Sequence, residues 1–209
     1  TVGNDYNTIK FCDIHEETGG NPSVAISSIG SATTLATNND FNVIDSCTIR
    51  DFFNATVATA AIYIGANNNN WTINGNNFYQ SATRTYTGTQ TNRVLWITPN
   101  TANLTSASGF IITNNFIGGN AANGSGVYTI AGTSAHLFTA VDLSVGLGTP
   151  TSMQNNTITN FNFTSASTSS IAFCAVNMVN GHVNFGTTIG NTIGSRTVNG
   201  AITYTTVST

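Results

Sequence analysis

One short pattern returns along nearly the whole chain, and it limits the fold more than any other feature: an apolar residue, two spacers, Cys or Asn, one spacer, then Ile or Phe. The first two copies align directly, Asn4-Asp5-Tyr6-Asn7-Thr8-Ile9-Lys10-Phe11-Cys12-Asp13-Ile14 against Asn39-Asp40-Phe41-Asn42-Val43-Ile44-Asp45-Ser46-Cys47-Thr48-Ile49. The pattern recurs as Ile73…Asn76…Phe78, Ile112…Asn115…Ile117 and Met153…Asn156…Ile158, and more weakly as Thr188…Asn191…Ile193. Cys12, Cys47, Asn76, Asn115, Asn156 and Asn191 therefore follow one another in steps of 35, 29, 39, 41 and 35. Repetition at such periods is the signature of stacked supersecondary units.

Within a unit the Cys or Asn and the next Ile or Phe are two apart, so their side chains share one face of a strand. The preceding apolar residue is three away, which breaks the alternation and implies a bend between two strands. Asn is the non-glycine residue best suited to a left-handed backbone at such a bend. Its amide also donates and accepts, so stacked copies can satisfy one another's backbone as a ladder. A second apolar strand follows each copy, at 24–27, 61–64, 94–97, 140–145, 171–178 and 201–204. Units of strand, bend, strand, loop and strand make a solenoid of parallel strands. An antiparallel sandwich of short strands is the alternative, but it has no use for one bend repeated six times.

Composition agrees with this reading. Thr (36), Asn (30), Ser (18) and Gly (20) fill 104 of 209 positions, whereas charged residues are only 6%. Thr, Asn and Gly favour strands and turns over helices. With five basic residues and a net charge of −3, the chain lacks the clustered Lys and Arg of a nucleic-acid binder. No stretch approaches the length of a membrane-spanning helix. Charge is uneven: residues 1–51 carry net −5 and the rest net +2. Three cysteines make no disulfide framework.

The phrases Asn7-Thr8-Ile9 with Cys12-Asp13-Ile14, Asn70-Trp71-Thr72-Ile73 with Gly75-Asn76-Asn77-Phe78-Tyr79, Asn115-Phe116-Ile117-Gly118-Gly119 and Gly190-Asn191-Thr192-Ile193-Gly194-Ser195 resemble segments of large secreted surface proteins of Bacteroidetes-type bacteria. The resemblance implies an all-β, right-handed parallel β-helix of pectate-lyase type, with about six coils and long loops on one side. It also implies export by the type IX system and an extracellular or cell-surface location. The expectation is one β-helix domain over 1–209, a piece of a longer protein. Its role would be structural or adhesive and non-enzymatic, with partners that are neighbouring segments, further copies or glycans. The competing expectation is a carbohydrate-binding or polysaccharide-degrading β-helix.

Candidate sites are few. Hydrolysis of glycosides needs two carboxylates roughly 5–10 Å apart, and past residue 51 Asp142 is the one acid. The alignment sets Lys10 beside Asp45 as a surface ion pair, and Asp5 beside Asp40 and Glu16 beside Asp51 as like-charge neighbours. A calcium ion could relieve the latter two pairs; solvated acids splayed apart are the simpler reading. Cys12 and Cys47 read as buried thiols replacing Asn in the ladder, and Cys174 as a core residue. Thr83 to Thr91 alternates Thr as an exposed extended loop. Tyr79, Arg84, Tyr86, Trp96, Tyr128 and His136 are the candidates for a sugar-binding face on the long-loop side, with loop packing as the plain alternative. Nothing in the chain calls for a cofactor, and no metal or catalytic set is assigned.

Overall fold

The computed structural model describes residues 3–16, 20–30, 37–99 and 107–207. They form a parallel β-helix. The first sheet stacks Thr8–Lys10, Val43–Asp45, Thr72–Asn74, Ile111–Thr113, Thr151–Gln154 and Val183–Phe185, all parallel and in sequence order. The second stacks Asp13–Ile14, Thr48–Arg50, Asn77–Tyr79, Phe116–Ile117, Thr157–Ile158 and Thr192–Ile193. The third runs through Val24–Ser28, Ala60–Ile64, Thr91–Ile97, Leu137–Ser144 and Phe173–Asn180.

A fourth sheet was not expected. Arg84–Thr85, Tyr128–Ala131 and Phe161–Ser165, inside segments that read as loops, pair in parallel with one another and with Ile202–Thr206, which read as a strand of the third sheet. The segment 201–204 therefore belongs here and not to the third sheet. Coils three to six have this extra side. Among the described residues, the first two coils do not.

Period-two alternation sends one residue of each short strand inward. Register then aligns these residues across coils. Ile44, Ile73, Ile112 and Met153 form one column, and Ile49, Phe78, Ile117 and Ile158 another; all eight are fully buried. Each such burial contributes about 1.5–3 kcal/mol before entropy is counted.

At the bend between the first two sheets the backbone groups point inward, where water cannot reach them. The ladder satisfies them. Asn115 Oδ1 accepts from the N–H and the Nδ2 of Asn76 (both 3.0 Å), while Asn115 Nδ2 donates to the Ile73 carbonyl at 2.9 Å. Asn156 serves Asn115 and Ile112 in the same way, Asn191 serves Asn156 and Met153, and Asn76 serves Cys47 and Ile44. Cys47 imitates this weakly, its thiol 3.6 Å from the Ile9 carbonyl. All three thiols are free; Cys12 is exposed and Cys174 half-buried, so of the three only Cys47 is the buried thiol expected.

The left-handed residue at each bend is not the ladder residue but the one before it: Phe11, Ser46, Gly75, Asn114 and Asn155 have φ between 53° and 66°. In the sixth coil five residues replace two. Phe185, not Thr188, stands above Met153, and Gln154 Oε1 accepts from the Thr188 and Ile189 N–H groups of the enlarged bend.

A second, shorter ladder lies at the entry to the first sheet. Asn42 Oδ1 accepts from the N–H and Nδ2 of Asn7, and Asn42 Nδ2 donates to the Asn4 carbonyl. One coil on, Trp71 Nε1 donates to the Asn39 carbonyl at 2.8 Å in the same role. On the outer surface Lys10 pairs with Asp45 at 2.6 Å, as aligned, and an amide stack continues from Asp45 through Asn74 and Asn114 to Asn155.

Replacing Asn115 by Ala strands the Asn76 donors and the Ile73 carbonyl in the dry interior. We expect a loss of about 3 kcal/mol, against about 1 kcal/mol for Asn191→Ala at the partly solvated end. Denaturant midpoints of the two variants measure the difference.

Candidate functional site

The six residues expected to share a sugar-binding face do not share one. Tyr86, Tyr128 and His136 are buried inside the coils. Tyr86 and Tyr128 turn inward with the alternate residues of the fourth sheet, and His136 turns inward just before the third-sheet strand Leu137–Ser144. Both tyrosine hydroxyls and one His136 nitrogen find partners on another coil or nearby, whereas His136 Nε2 is buried without one. The Tyr86 hydroxyl lies 3.3 Å from Thr59 Oγ1, Tyr128 reaches Gln80, and His136 Nδ1 sits 3.1 Å from the Ser134 carbonyl. Their rings join aromatic clusters, Tyr86 against His136 and His136 edge-on to Phe163 at 5.2 Å, and Tyr128 against Phe161 at 5.1 Å. Burial pushes the Tyr86 hydroxyl up to about 12 and holds the His136 imidazole below its ordinary value. Within 83–91 the side chains of Thr83, Thr85, Thr87 and Thr89 are exposed as expected, while Tyr86 between them turns inward to the core.

Arg84 is also spoken for. It binds Asp51 and Gln80, and Asp51 further accepts from Ser81 and pairs with Arg50 at 3.0 Å. Burial alone would raise the Asp51 carboxyl, but the Ser81 donors and the Arg84 charge outweigh it and hold it below its usual range. Asp51 thus faces two guanidinium groups, which removes it from a calcium pair with Glu16.

Asp5 and Asp40 do meet, the Asp40 N–H donating to Asp5 Oδ1 at 2.8 Å. Burial and then the Asp5 charge raise Asp40 to about 6. Among the described residues no group of three or more His, Cys, Asp or Glu is placed to hold a metal.

Of the six candidates Tyr79 and Trp96 remain on the outside, on different sheets. Tyr79 sits beside Arg50 on the second sheet. Trp96 gathers neighbours that sequence reasoning missed. In the third sheet Tyr63, Trp96, Asp142 and Asn177 occupy one row across successive coils. Tyr63 and Trp96 are in ring contact at 4.6 Å, and the Arg93 guanidinium lies 4.2 Å above the Trp96 ring. Arg93 pairs with Asp142, whose other oxygen accepts from Asn177 Nδ2 at 2.9 Å.

The result is an aromatic platform with planar polar groups held in fixed orientation. Rings of this kind stack on apolar or π faces, and the amide and ion pair hydrogen-bond to hydroxyls. Asp142 is the platform's one carboxylate and is engaged by Arg93, so the arrangement can bind but has no acid and base pair. Burial pushes the thiol of Cys174, which shares a row with Thr139 and Arg93, above its ordinary value, which makes it a poor nucleophile.

One buried and one half-buried group, His136 and Asp40, give opposite pH dependences. The unfolded chain protonates His136 near pH 6.5 while the folded one resists, so this contribution to stability is lost as pH falls below that value. Asp40 holds its proton to about pH 6 when folded, so its contribution is full below pH 4 and lost as pH rises through 6. Melting curves from pH 4 to 8 should show His136→Phe flattening the acid-side loss. Asp40→Asn should melt higher than the natural chain at pH 7 and close to it at pH 4.

Comparison with protein-family models, with curated proteins and with solved structures finds no match for this chain.

Proposed function

We propose that this chain is a non-enzymatic structural and adhesive β-helix module of a bacterial surface or extracellular protein, one that stacks end to end with copies of itself or with neighbouring coils. The observation that carries this reading is the exposure of core columns at both ends. Ile193 belongs to the column of Ile49, Phe78, Ile117 and Ile158, each fully buried, yet is 48% exposed. At the other end Ile9 and Ile14 are only partly buried. A further coil would cover these side chains and continue the strand pairing that open edges invite. The charge difference between residues 1–51 and the remainder favours head-to-tail over head-to-head contact. The likeness of the bend motifs to those of secreted Bacteroidetes-type surface proteins supports the same setting.

The third-sheet platform favours a second reading, in which the module also holds glycans. Arg93, Trp96 and Tyr63 form a ready stacking surface, and the engaged state of Asp142 favours binding over cleavage.

Electron microscopy and sedimentation at rising concentration test the first reading. Rods whose length grows with concentration, shortened by Ile193→Asp, are the expected result; particles of one module length at the highest concentration would overturn it. For the second, Trp96→Ala should weaken retention on polysaccharide-containing gels several-fold, as loss of one ring contact implies. Release of new sugar ends, abolished by Asp142→Asn, would instead show an enzyme.

A further inference from the structure

Three exposed aromatic residues in the first two coils, Tyr6, Phe11 and Phe41, occupy backbone that resists them, and Tyr6 and Phe41 share one turn position. Tyr6 and Phe41 have φ of 59° and 56°, and they are 74% and 45% exposed. For a bulky residue this left-handed conformation is an outlier. The same turn position holds Asn70 (φ 53°) in the third coil and Gly109 (φ 71°) in the fourth, residue types that accept it readily. Strain at exposed positions gains nothing for the core and points toward a use at the surface.

The rings are aligned as well as exposed. Tyr6 and Phe41 stack at 5.1 Å with 7° between their planes. Tyr6 covers the side of Phe41 toward the first coil. On the side toward the third coil, Phe41 ends a groove of about 420 Å³. The floor continues the turn column, with Asn70, Gly109 and Pro150 following Phe41. The wall is the outward row of the first sheet, Thr72, Ile111 and Ser152, which are register partners. From the second coil to the fifth the groove spans about 14 Å at the strand spacing. Gly109 keeps the floor tight, since a Cβ there would meet Asn70 Oδ1.

We propose that this groove binds an uncharged glycan chain laid along the helix axis, with one sugar ring stacked on Phe41. The chemistry of the lining selects that occupant. Among the described residues that line it none is charged, so an anionic or cationic ligand finds no counter-charge. Asn70, Thr72 and Ser152 offer amide and hydroxyl groups that match sugar hydroxyls, while Phe41, Ile111 and Pro150 meet the C–H faces of the rings. An added peptide strand would need a free sheet edge, and the backbone beside the groove is already paired with the coils on either side. Asp5 and Asp40 adjoin the aromatic pair in sequence and disfavour a polyuronate. The proposal is independent of end-to-end stacking, because the groove lies on a lateral face. It is also separate from the platform on the third sheet.

The test is affinity electrophoresis and calorimetry of the full chain with neutral polysaccharides (mixed-linkage β-glucan, xyloglucan, galactomannan) and with polygalacturonate. Phe41→Asn installs the residue that the third coil uses at this turn, so it removes the stacking face while relieving strain. The expected result is binding of a neutral polysaccharide in preference to polygalacturonate, weakened about tenfold by Phe41→Asn, with a melting temperature equal to or above that of the natural chain. Thr72→Val, which keeps the shape and removes one hydroxyl, should weaken binding several-fold and guards against a folding defect in the first variant. The proposal is overturned if no neutral polysaccharide binds, if polygalacturonate binds better, or if Phe41→Asn and Thr72→Val bind as the natural chain does. Loss of binding with Trp96→Ala instead would assign the glycan to the third sheet.

Discussion

A buried backbone bend is the constraint on which this molecule is built. Each coil must turn a corner inside a dry core, where an unpaired N–H or carbonyl costs about 1–3 kcal/mol. One Asn from the following coil resolves both at once, with its oxygen on an N–H and its nitrogen on the carbonyl three residues earlier. Ser is too short to span both groups, and Asp brings a charge and no donor. The side chain therefore does more than stabilise. It sets the vertical register of one coil on the next, and the register in turn aligns the Ile columns that fill the interior. Because every rung is made by the coil above, the ladder has a direction, and its two ends are chemically different.

The surface follows a similar economy. With so few charges, solubility and lateral order depend on Thr, Asn and Ser. Among the described residues four acids meet a base on an adjoining residue or coil, Asp45 with Lys10, Asp13 and Asp51 with Arg50, Asp51 with Arg84, and Asp142 with Arg93, whereas Asp5 and Asp40 meet each other. The more exposed of these pairs, Lys10 with Asp45 and Arg50 with Asp13, contribute little to stability. Paired across coils, however, they penalise a slipped register. The first coil carries Asp5, Lys10 and Asp13 near its open edge, a device that discourages indiscriminate strand addition. The last coil has Arg196 and no acid, so the two edges differ in what they admit.

The ladder was legible in the sequence because its chemistry demands one residue type at one place in every coil, and Asn76, Asn115 and Asn156 stand there. Cys12 and Cys47 could be aligned with them by the flanking Ile residues alone. What stayed hidden depends on contacts between coils of unequal length. The fourth sheet lies in segments that vary most, and Phe161-Asn162-Phe163 was not distinguishable from a loop until its partner Tyr128–Ala131 was in place. Tyr86, Tyr128 and His136 look like surface residues because each has a polar tip. Their partners Thr59, Gln80 and Ser134 come at spacings that no motif marks. The same holds for the third-sheet platform. Tyr63, Trp96, Asp142 and Asn177 are separated by 33, 46 and 35 residues, and only register shows that they are neighbours. The left-handed residue was misplaced by one position because Asn114-Asn115 and Asn155-Asn156 pairs offer two equally suitable residues. Phe11 and Ser46 show which of the two turns.

The proposed roles divide the molecule by direction. If the axis is given over to stacking, anything the module holds must be met on its sides, where the groove on the first sheet and the platform on the third both lie. A lateral site on a stacking module is repeated at every copy along the rod. A long glycan that engages one groove then meets the next at high effective concentration, and overall binding can exceed that of a single site by 10²–10⁴ without a new contact. Such a site has no need to be strong. One ring face, a few hydroxyls and a shallow floor suffice when the scaffold multiplies them. That is a reason for spending backbone strain on Tyr6 and Phe41 and leaving the groove uncharged: weak, neutral contacts can be added along a rod without the like-charge repulsion that would oppose its assembly.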